Sequence, residues 1–210
     1  VGFSCGFVGL PNAGKSTIFN AVTSQQVEAS AYPFCTIDPH HGVVPLRDRR
    51  LDELFTVSGS GKKVETTLDF VDIAGLVKGA STGEGLGNQF LSHISGVDAV
   101  AHVVRCFEDS NVAHPGGSLD PVRDAGLVTT ELILKDLEVI ESHRHKLKTA
   151  ARTGDPGAKK QSQVLDELAA QLNEGKEVRR LSLDEFAAET AARLNLLTAK
   201  PVIFVANVDE

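Results

Sequence analysis

The apolar residues of this chain fall into short continuous runs that are separated by longer segments of helical periodicity. Runs typical of β-strands lie at residues 7–10, 42–46, 68–73, 99–104 and 202–207. Most of them lack the alternation of a strand with one solvated face, so they predict a sheet that is covered on both faces. Because helical patterns lie between several of the runs, the chain is predicted to be an α/β protein with a mostly parallel sheet.

Residues 121–198 follow a different pattern. Their apolar side chains recur at intervals of three, four or seven, at Ile133, Leu137, Ile140 and Leu147 and again at Leu165, Leu168 and Leu172. This spacing predicts two long helices paired as a hairpin, a short antiparallel coiled coil inserted into the α/β domain. Two ordinary surface helices on the sheet are the alternative. The predicted α/β domain then consists of residues 1–120 and 199–210.

Composition and charge narrow the class of protein. The chain has 210 residues, 41% of them hydrophobic and 23% charged, as in an ordinary soluble globular protein. There is no apolar run long enough to span a membrane and no secretory signal pattern, so no membrane partner is expected. The three cysteines are widely spaced, which fits a reducing cytoplasm. A net charge of −7 disfavours general attraction to nucleic acid, and DNA is not an expected partner.

The stretch "GLPNAGKS" at residues 9–16 matches the phosphate-binding pattern G-x-x-x-x-G-K-[ST]. It follows a strand-like run and precedes a helix-like one, which is the context that this motif requires. Backbone N–H groups of such a loop face phosphate oxygens, and the helix adds the positive end of its dipole. The residues expected to bind the nucleotide here are Asn12, Ala13, Gly14, Lys15, Ser16 and Thr17.

A magnesium site is predicted beside this loop. The Ser16 hydroxyl is expected to bind Mg²⁺ directly, and Asp72, at the end of a strand in "FVDIAG", through water. Gly75, three residues later, would offer its backbone N–H to the γ-phosphate. Thr36 in "YPFCTI" is placed where a switch loop would close over the metal. The glycine-rich residues 75–89 would form a second switch.

These motifs together resemble the YchF subfamily of Obg-like P-loop NTPases. The matching stretches are "GLPNAGKST", "YPFCTI", "FVDIAGLVKGASTGEGLGNQFL", "HVVRCFED" and "ANVDE", in that order. The resemblance covers essentially the whole chain. It implies a Ras-like P-loop core, an inserted helical coiled coil and a C-terminal TGS domain, which would lie beyond Glu210.

The residues that would contact the base depart from the guanine-specific pattern Asn-Lys-x-Asp. Asn207 is in place, but Val208 replaces the lysine and Glu210 replaces the aspartate. Glutamate is longer than aspartate, so its carboxylate cannot meet the guanine N–H groups in the same way. The aspartate of that pattern rejects adenine, because a carboxylate that faces adenine N1 sets acceptor against acceptor, and buried mismatches of that kind discriminate by about 10⁴-fold or more. Chemistry alone predicts weakened guanine specificity, and the resemblance implies a Mg²⁺-dependent ATPase that prefers ATP to GTP.

Hydrolysis is expected to be slow. Ras-like proteins place a glutamine directly after D-x-x-G to orient the attacking water, and this chain has Leu76 there. Catalytic roles are predicted for Lys15 and for the backbone N–H of Gly75. His114, in the polar loop after the fourth strand, is a candidate to orient or deprotonate water. A solvated loop histidine is the plainer interpretation, and the resemblance favours a mobile catalytic one.

Asn12 has two interpretations that stay open. In related potassium-stimulated NTPases an asparagine at this place in the phosphate loop binds K⁺, which would make potassium a second cofactor. An asparagine that stabilises a turn is equally consistent with the sequence.

The tip of the predicted hairpin is basic although the chain is acidic. It carries Arg144, Lys146, Lys148, Arg152, Lys159 and Lys160 with one acid, Asp155. Such a tip can contact a phosphate backbone, although a solvated charged face is the commoner meaning. The resemblance implies ribosome or ribosomal RNA binding. Two alternatives remain open: a nucleotide-gated interaction module with negligible turnover, and a conventional GTPase.

Overall fold

A five-stranded sheet forms the centre of the computed structural model, which describes residues 2–23, 40–73, 86–152 and 156–209. The strands are β1 (Phe3–Val8), β2 (His40–Pro45), β3 (Thr67–Asp72), β4 (Ala99–Arg105) and β5 (Val202–Asn207). Their order across the sheet is β2-β3-β1-β4-β5. Only β2 runs antiparallel to its neighbour among these strands. The predicted α/β class with a mostly parallel sheet is confirmed.

Six α-helices are described: α1 (Lys15–Thr23), α2 (Arg49–Ser58), α3 (Leu86–Ser95), α4 (Pro121–Arg152), α5 (Pro156–Asn173) and α6 (Glu185–Arg193). Short 3₁₀ turns lie at Val178–Arg180 and Leu197–Ala199. Across the described ranges, we find no helix that combines the length and the apolar character needed to cross a membrane.

Apolar layers lie on both faces of the central strands, as the continuous hydrophobic runs predict, but the edge strands β2 and β5 leave Val43, Ile203 and Phe204 exposed. Successive residues of a strand face opposite sides, and the central strand β1 shows the consequence. Phe7 packs edge to face on Phe19 of α1, with ring centroids 6.2 Å apart. Val8 belongs to the opposite layer, which includes Leu91 of α3 and Val128 of α4. β1 is therefore buried between two helical layers, and it holds the loop that follows it firmly.

The helices α4 and α5 pack against each other and share an apolar cluster. The heptad-spaced side chains named above are buried or partly buried in it. At Arg144 the chain places a cation in the seam, where its Nη2 lies 2.7 Å from Oδ1 of Asp166 on α5. Interlocked coiled-coil packing and the division of the chain at residues 120 and 199 stay predictions. The first turns of α4 pack on the sheet through Val128 and Leu132.

Helix α6 completes the same cluster, and the spacing of apolar residues did not predict it. Ala187, Ala191 and Leu194 supply its buried face. Small alanine side chains give a weak periodic signal, although they let the helix approach closely. The start of the helix is marked in the sequence by Asp184, since aspartate is a favoured residue just before a helix. In the structure its side chain accepts the N–H of Ala187 at 2.7 Å.

Candidate nucleotide-binding site

The site lies at the carboxyl ends of the parallel strands, where ligands bind in open α/β sheets. The loop of residues 9–14 leaves β1 there and enters α1. Gly9 has φ 155°, and a Cβ on it would lie 2.4 Å from the carbonyl oxygen of Val103 on β4. Only glycine lets the loop pass this close to the neighbouring strand. The phosphate loop predicted from "GLPNAGKS" thus has its backbone path set by its first glycine.

Lys15 is buried at the first residue of α1. It is 7% exposed, and its Nζ donates to the carbonyl oxygen of Leu10 at 3.1 Å. Burial lowers the pKa of Lys15 to about 8, against the opposing attraction of Asp72. An ammonium group that is buried against a carbonyl is electrostatically under-compensated. It is ready to exchange that oxygen for a phosphate oxygen.

Ser16 and Asp72 form the predicted metal pair. The Ser16 hydroxyl donates to Oδ2 of Asp72 at 2.6 Å, although the two residues lie on different elements. Oδ1 of Asp72 is buried without a hydrogen-bond partner among the described residues. Burial raises the pKa of Asp72. The hydrogen bond from Ser16 and the positive charge of Lys15 oppose this shift. An orphaned buried carboxylate oxygen beside a hydroxyl fits a hard, hydrated cation such as Mg²⁺.

Asn207 connects the end of β5 to the phosphate loop. Its side-chain Nδ2 donates to the carbonyl oxygen of Ala13 at 3.0 Å, and its backbone carbonyl oxygen accepts the N–H of Cys106 at 2.7 Å. Gly14 makes this approach possible, because a Cβ there would lie 2.2 Å from Asn207 Nδ2. Val208 is 64% exposed directly after the strand. Asn207, a candidate base-binding residue, therefore lies beside the candidate phosphate-binding residues.

His114 lies close to the same edge but is not solvated. Its side chain is 10% exposed, and Nε2 lies 2.7 Å from Oδ2 of Asp124 in the first turn of α4. Nδ1 accepts the backbone N–H of Gly116 at 3.0 Å. Asp124 was not singled out from the sequence. The signal available was its place just after Pro121, where a helix that follows a loop is expected to begin.

Arg105 and Asn12 hold the loop that carries His114. The buried guanidinium of Arg105 donates to three carbonyl oxygens of the loop, those of Phe107, Asp109 and Val112. Asn12 has φ 63°, and its Nδ2 donates to the carbonyl of Ala113 at 3.0 Å. The left-handed backbone matches the turn interpretation of Asn12, and potassium binding stays a prediction. Arg105 was not singled out from the sequence.

The remaining predicted site residues divide into two groups. Thr17 is exposed on α1. Thr36, Gly75, Leu76 and Glu210 lie outside the described residues, so their predicted roles stay predictions. The groups that the structure does bring together at one edge of the sheet are Lys15, Ser16, Asp72, Asn207 and His114.

A phosphate loop between a buried strand and a helix, with Ser16 and Asp72 joined beside it, defines a P-loop nucleotide-binding protein of the Ras-like type. Comparison with known proteins agrees. Residues 4–152 match the family model described as 50S ribosome-binding GTPase. The chain is 48% identical over 210 residues to the "Ribosome-binding ATPase YchF" of Escherichia coli O157:H7. It is 49% identical over 207 residues to the protein of that name in Mycoplasma genitalium.

A solved structure gives the same result. The structure of the Schizosaccharomyces pombe YchF GTPase superposes with a TM-score of 0.79 at 39% identity, covering 99% of this chain and 57% of that chain. This chain therefore belongs to the 50S ribosome-binding GTPase family and, within it, to the YchF subfamily. All of the chain aligns with the Escherichia coli relative, but it spans only 58% of that relative's length, and 56% of the Mycoplasma one.

Proposed function

We propose that this chain is the nucleotide-binding and hydrolysing part of a Mg²⁺-dependent ATPase that binds the ribosome in a nucleotide-dependent way. The observation that carries the proposal is the grouping of a buried Lys15 with the Ser16–Asp72 pair at the phosphate loop. Lys15 would hold the phosphates, and Ser16 and Asp72 would hold the metal. Mg²⁺, when bound, supplies positive charge that stabilises the transferring phosphoryl group.

The preference for ATP rests on the residues after β5. Known relatives carry both names, since the curated proteins are called ATPase and the yeast structure is called a GTPase. Asn207 suits either purine, because both present N7 as an acceptor. Val208 lacks the lysine stem that covers guanine, and Glu210 is one methylene longer than the guanine-specific aspartate, so its carboxylate cannot meet the guanine N–H groups in the same way. These two differences weaken the preference for guanine, and the ATPase name of the curated relatives supports adenine as the base.

Base preference can be tested by calorimetric titration of the nucleotide-free chain with ADP and with GDP in Mg²⁺. ADP is expected to bind at least about tenfold more tightly than GDP. A Val208→Lys/Glu210→Asp double variant restores Asn-Lys-x-Asp and is expected to shift the ratio towards GDP. A Lys62→Ala variant, which changes an exposed residue away from the site, is the matched control. GDP binding as tight as ADP binding in the unaltered chain contradicts the ATPase proposal.

Slow turnover supports a switch-like role. Leu76 cannot hydrogen-bond to water, so intrinsic hydrolysis would be slow and a partner would be needed to speed it. An interaction module with negligible turnover would differ from the proposed ATPase only in how strongly a partner speeds its hydrolysis. Potassium bound at Asn12 would also speed hydrolysis. Equal hydrolysis rates in K⁺ and in Na⁺ would exclude potassium as a cofactor.

Ribosome contact is assigned to the basic tip of the α4–α5 hairpin. Its charges are not equivalent, because Arg144 is paired with Glu141 and Asp166. Lys160 lies over the ring of Phe186, 4.3 Å from its centroid. Lys146 and Lys159 are exposed on the two helices, and they are the better positions to test.

A Lys146→Glu/Lys159→Glu variant is expected to weaken ribosome co-sedimentation at low salt about tenfold or more, because each phosphate contact releases counterions. The unaltered chain should lose binding steeply as salt rises. Lys62→Glu, which reverses one charge on an exposed residue outside the hairpin, is expected to have little effect. If the hairpin variant sediments with ribosomes like the unaltered chain at low salt, the tip is not the contact.

A further inference from the structure

Both ring nitrogens of His114 are engaged. A backbone N–H can only donate, so Nδ1, which receives the N–H of Gly116 at 3.0 Å, must be an acceptor without a proton. Nε2 therefore carries the proton of the neutral ring and donates it to Oδ2 of Asp124 at 2.7 Å. The imidazole is held in one tautomer with no lone pair left for water.

A histidine in this state cannot accept a proton from an attacking water. For His114 to act in hydrolysis, it must leave this position. The bond to Gly116 lies within the loop and can travel with it. The bond to Asp124 joins the loop to α4, so it is the one that must break. Its loss frees the Nε2–H to donate to a water and so to orient it, while Nδ1 stays bonded to Gly116.

The Asp124 carboxylate is fixed to its helix. Its side chain is 6% exposed, and Nη2 of Arg123 lies 3.3 Å from Oδ1. The side chain of Asp120 begins this helix by accepting the N–H of Arg123 at 3.0 Å. The helix start, and the carboxylate with it, is therefore anchored independently of His114.

The pair lies directly against the phosphate loop. A small cavity lies at this boundary. Its volume is about 10 Å³, which is room for about one water, and its lining includes Leu10, Ala13, His114 and Asp124. The hydrogen bond from Asn12 to Ala113 joins the same two loops at the residue before His114. A change at the phosphate loop and a movement of the His114 loop are thus physically linked.

We propose that Asp124 is a latch, a positioning residue that holds His114 in a resting position and so restrains hydrolysis. This inference rests on the proposed ATPase function. The latch belongs to α4, which has 32 residues and is about 48 Å long at 1.5 Å per residue. The same helix continues into the hairpin assigned to ribosome contact, so a partner that displaces the hairpin acts on the residue that holds His114.

The test compares ATP hydrolysis by the unaltered chain with that by Asp124→Asn and Asp124→Ala variants. Asparagine keeps an acceptor but loses the charge, so kcat should rise modestly, and alanine should raise it about tenfold. KM for ATP should stay the same. In a His114→Ala background neither Asp124 change should alter kcat. Asp166→Asn, which removes an exposed carboxylate on α5, is the matched control and should leave kcat unchanged.

Nitrogen NMR of the histidine rings gives a readout that does not depend on hydrolysis. The unaltered chain should show His114 with its proton on Nε2 and protected from exchange with water, and Asp124→Ala should keep this tautomer but make the Nε2 proton exchange faster. Hydrolysis that is slower or unchanged in Asp124→Ala overturns the latch alone. Absence of hydrolysis in every variant overturns the proposed ATPase function, and the restraint with it.

Discussion

Replacing Lys15 with alanine is expected to lower ATP hydrolysis about 10²–10³-fold, the usual loss when one group that stabilises transition-state charge is removed. Lys15 is buried at the start of α1, and its Nζ donates to the Leu10 carbonyl. Its ammonium lies beside the phosphate loop, where it can stabilise the negative charge that develops on the γ-phosphate during hydrolysis. Steady-state phosphate release, measured with Mg²⁺ and saturating ATP, checks the expectation.

The same variant should fold normally. Removing a buried ammonium that has no full ion-pair partner is neutral or stabilising, so the midpoint of thermal unfolding should stay the same or rise. Lys146→Ala, an exposed lysine on α4, serves as the control and should retain full hydrolysis. Hydrolysis by Lys15→Ala within about threefold of the unaltered chain would contradict the assignment of the phosphate site.

Lys15 also predicts a dependence of nucleotide binding on pH. Its pKa is about 8 in the free protein because burial disfavours the charge. Bound phosphate favours the charged form and raises this pKa, so binding above pH 8 takes up a proton. ATP affinity should therefore fall about tenfold per pH unit above that point. Calorimetry in buffers of different ionisation enthalpy would detect the proton, and Lys15→Ala should abolish the uptake.

The sheet and the phosphate loop were predictable because each is encoded locally. A strand covered on both faces is mostly apolar at successive positions, as β4 is along its buried length. The similar run at residues 202–207 forms the edge strand β5, whose Ile203 and Phe204 are exposed, so a continuous apolar run did not distinguish a central strand from an edge strand. The glycines of the loop are required by its own backbone, as Gly9 shows by its approach to Val103. The approximate limits of the other four strands, and the place of Ser16 and Asp72 at one edge, follow from these patterns. β1 covers Phe3–Val8 and not residues 7–10, because Gly9 and Leu10 already belong to the phosphate loop.

The tertiary hydrogen bonds were not predictable in the same way. His114 and Asp124 lie ten residues apart across a loop, and no periodicity joins a loop residue to a helix start. The solvated interpretation of His114 does not match the structure, in which its largely buried ring bonds to Asp124 and Gly116. Arg105 likewise continues an apolar strand, and only the folded loop shows which carbonyls its guanidinium satisfies. Such partners are fixed by packing of distant elements.

Asp136 is another such residue, and its removal carries the largest expected effect on stability. It lies on α4, is fully buried at 0% exposure, and accepts three hydrogen bonds. The donors are the N–H groups of Leu197 and Thr198 and the hydroxyl of Thr198, at 2.6, 2.8 and 2.6 Å. The carboxylate thus connects the helical region to the turn that leads into β5, the strand that ends at Asn207.

Asp136→Ala is expected to lower the free energy of unfolding by about 3–5 kcal/mol, because three buried donors lose their acceptor. Asp136→Asn keeps one acceptor oxygen but turns an amide towards the remaining donors, so it should fall between alanine and the unaltered chain. Urea unfolding followed by circular dichroism gives the free energies. Asp166→Ala removes an exposed ion pair of the same helix pair and should cost no more than about 1 kcal/mol. Equal losses from Asp136→Ala and Asp166→Ala would show that the buried carboxylate does not hold the helices to the sheet.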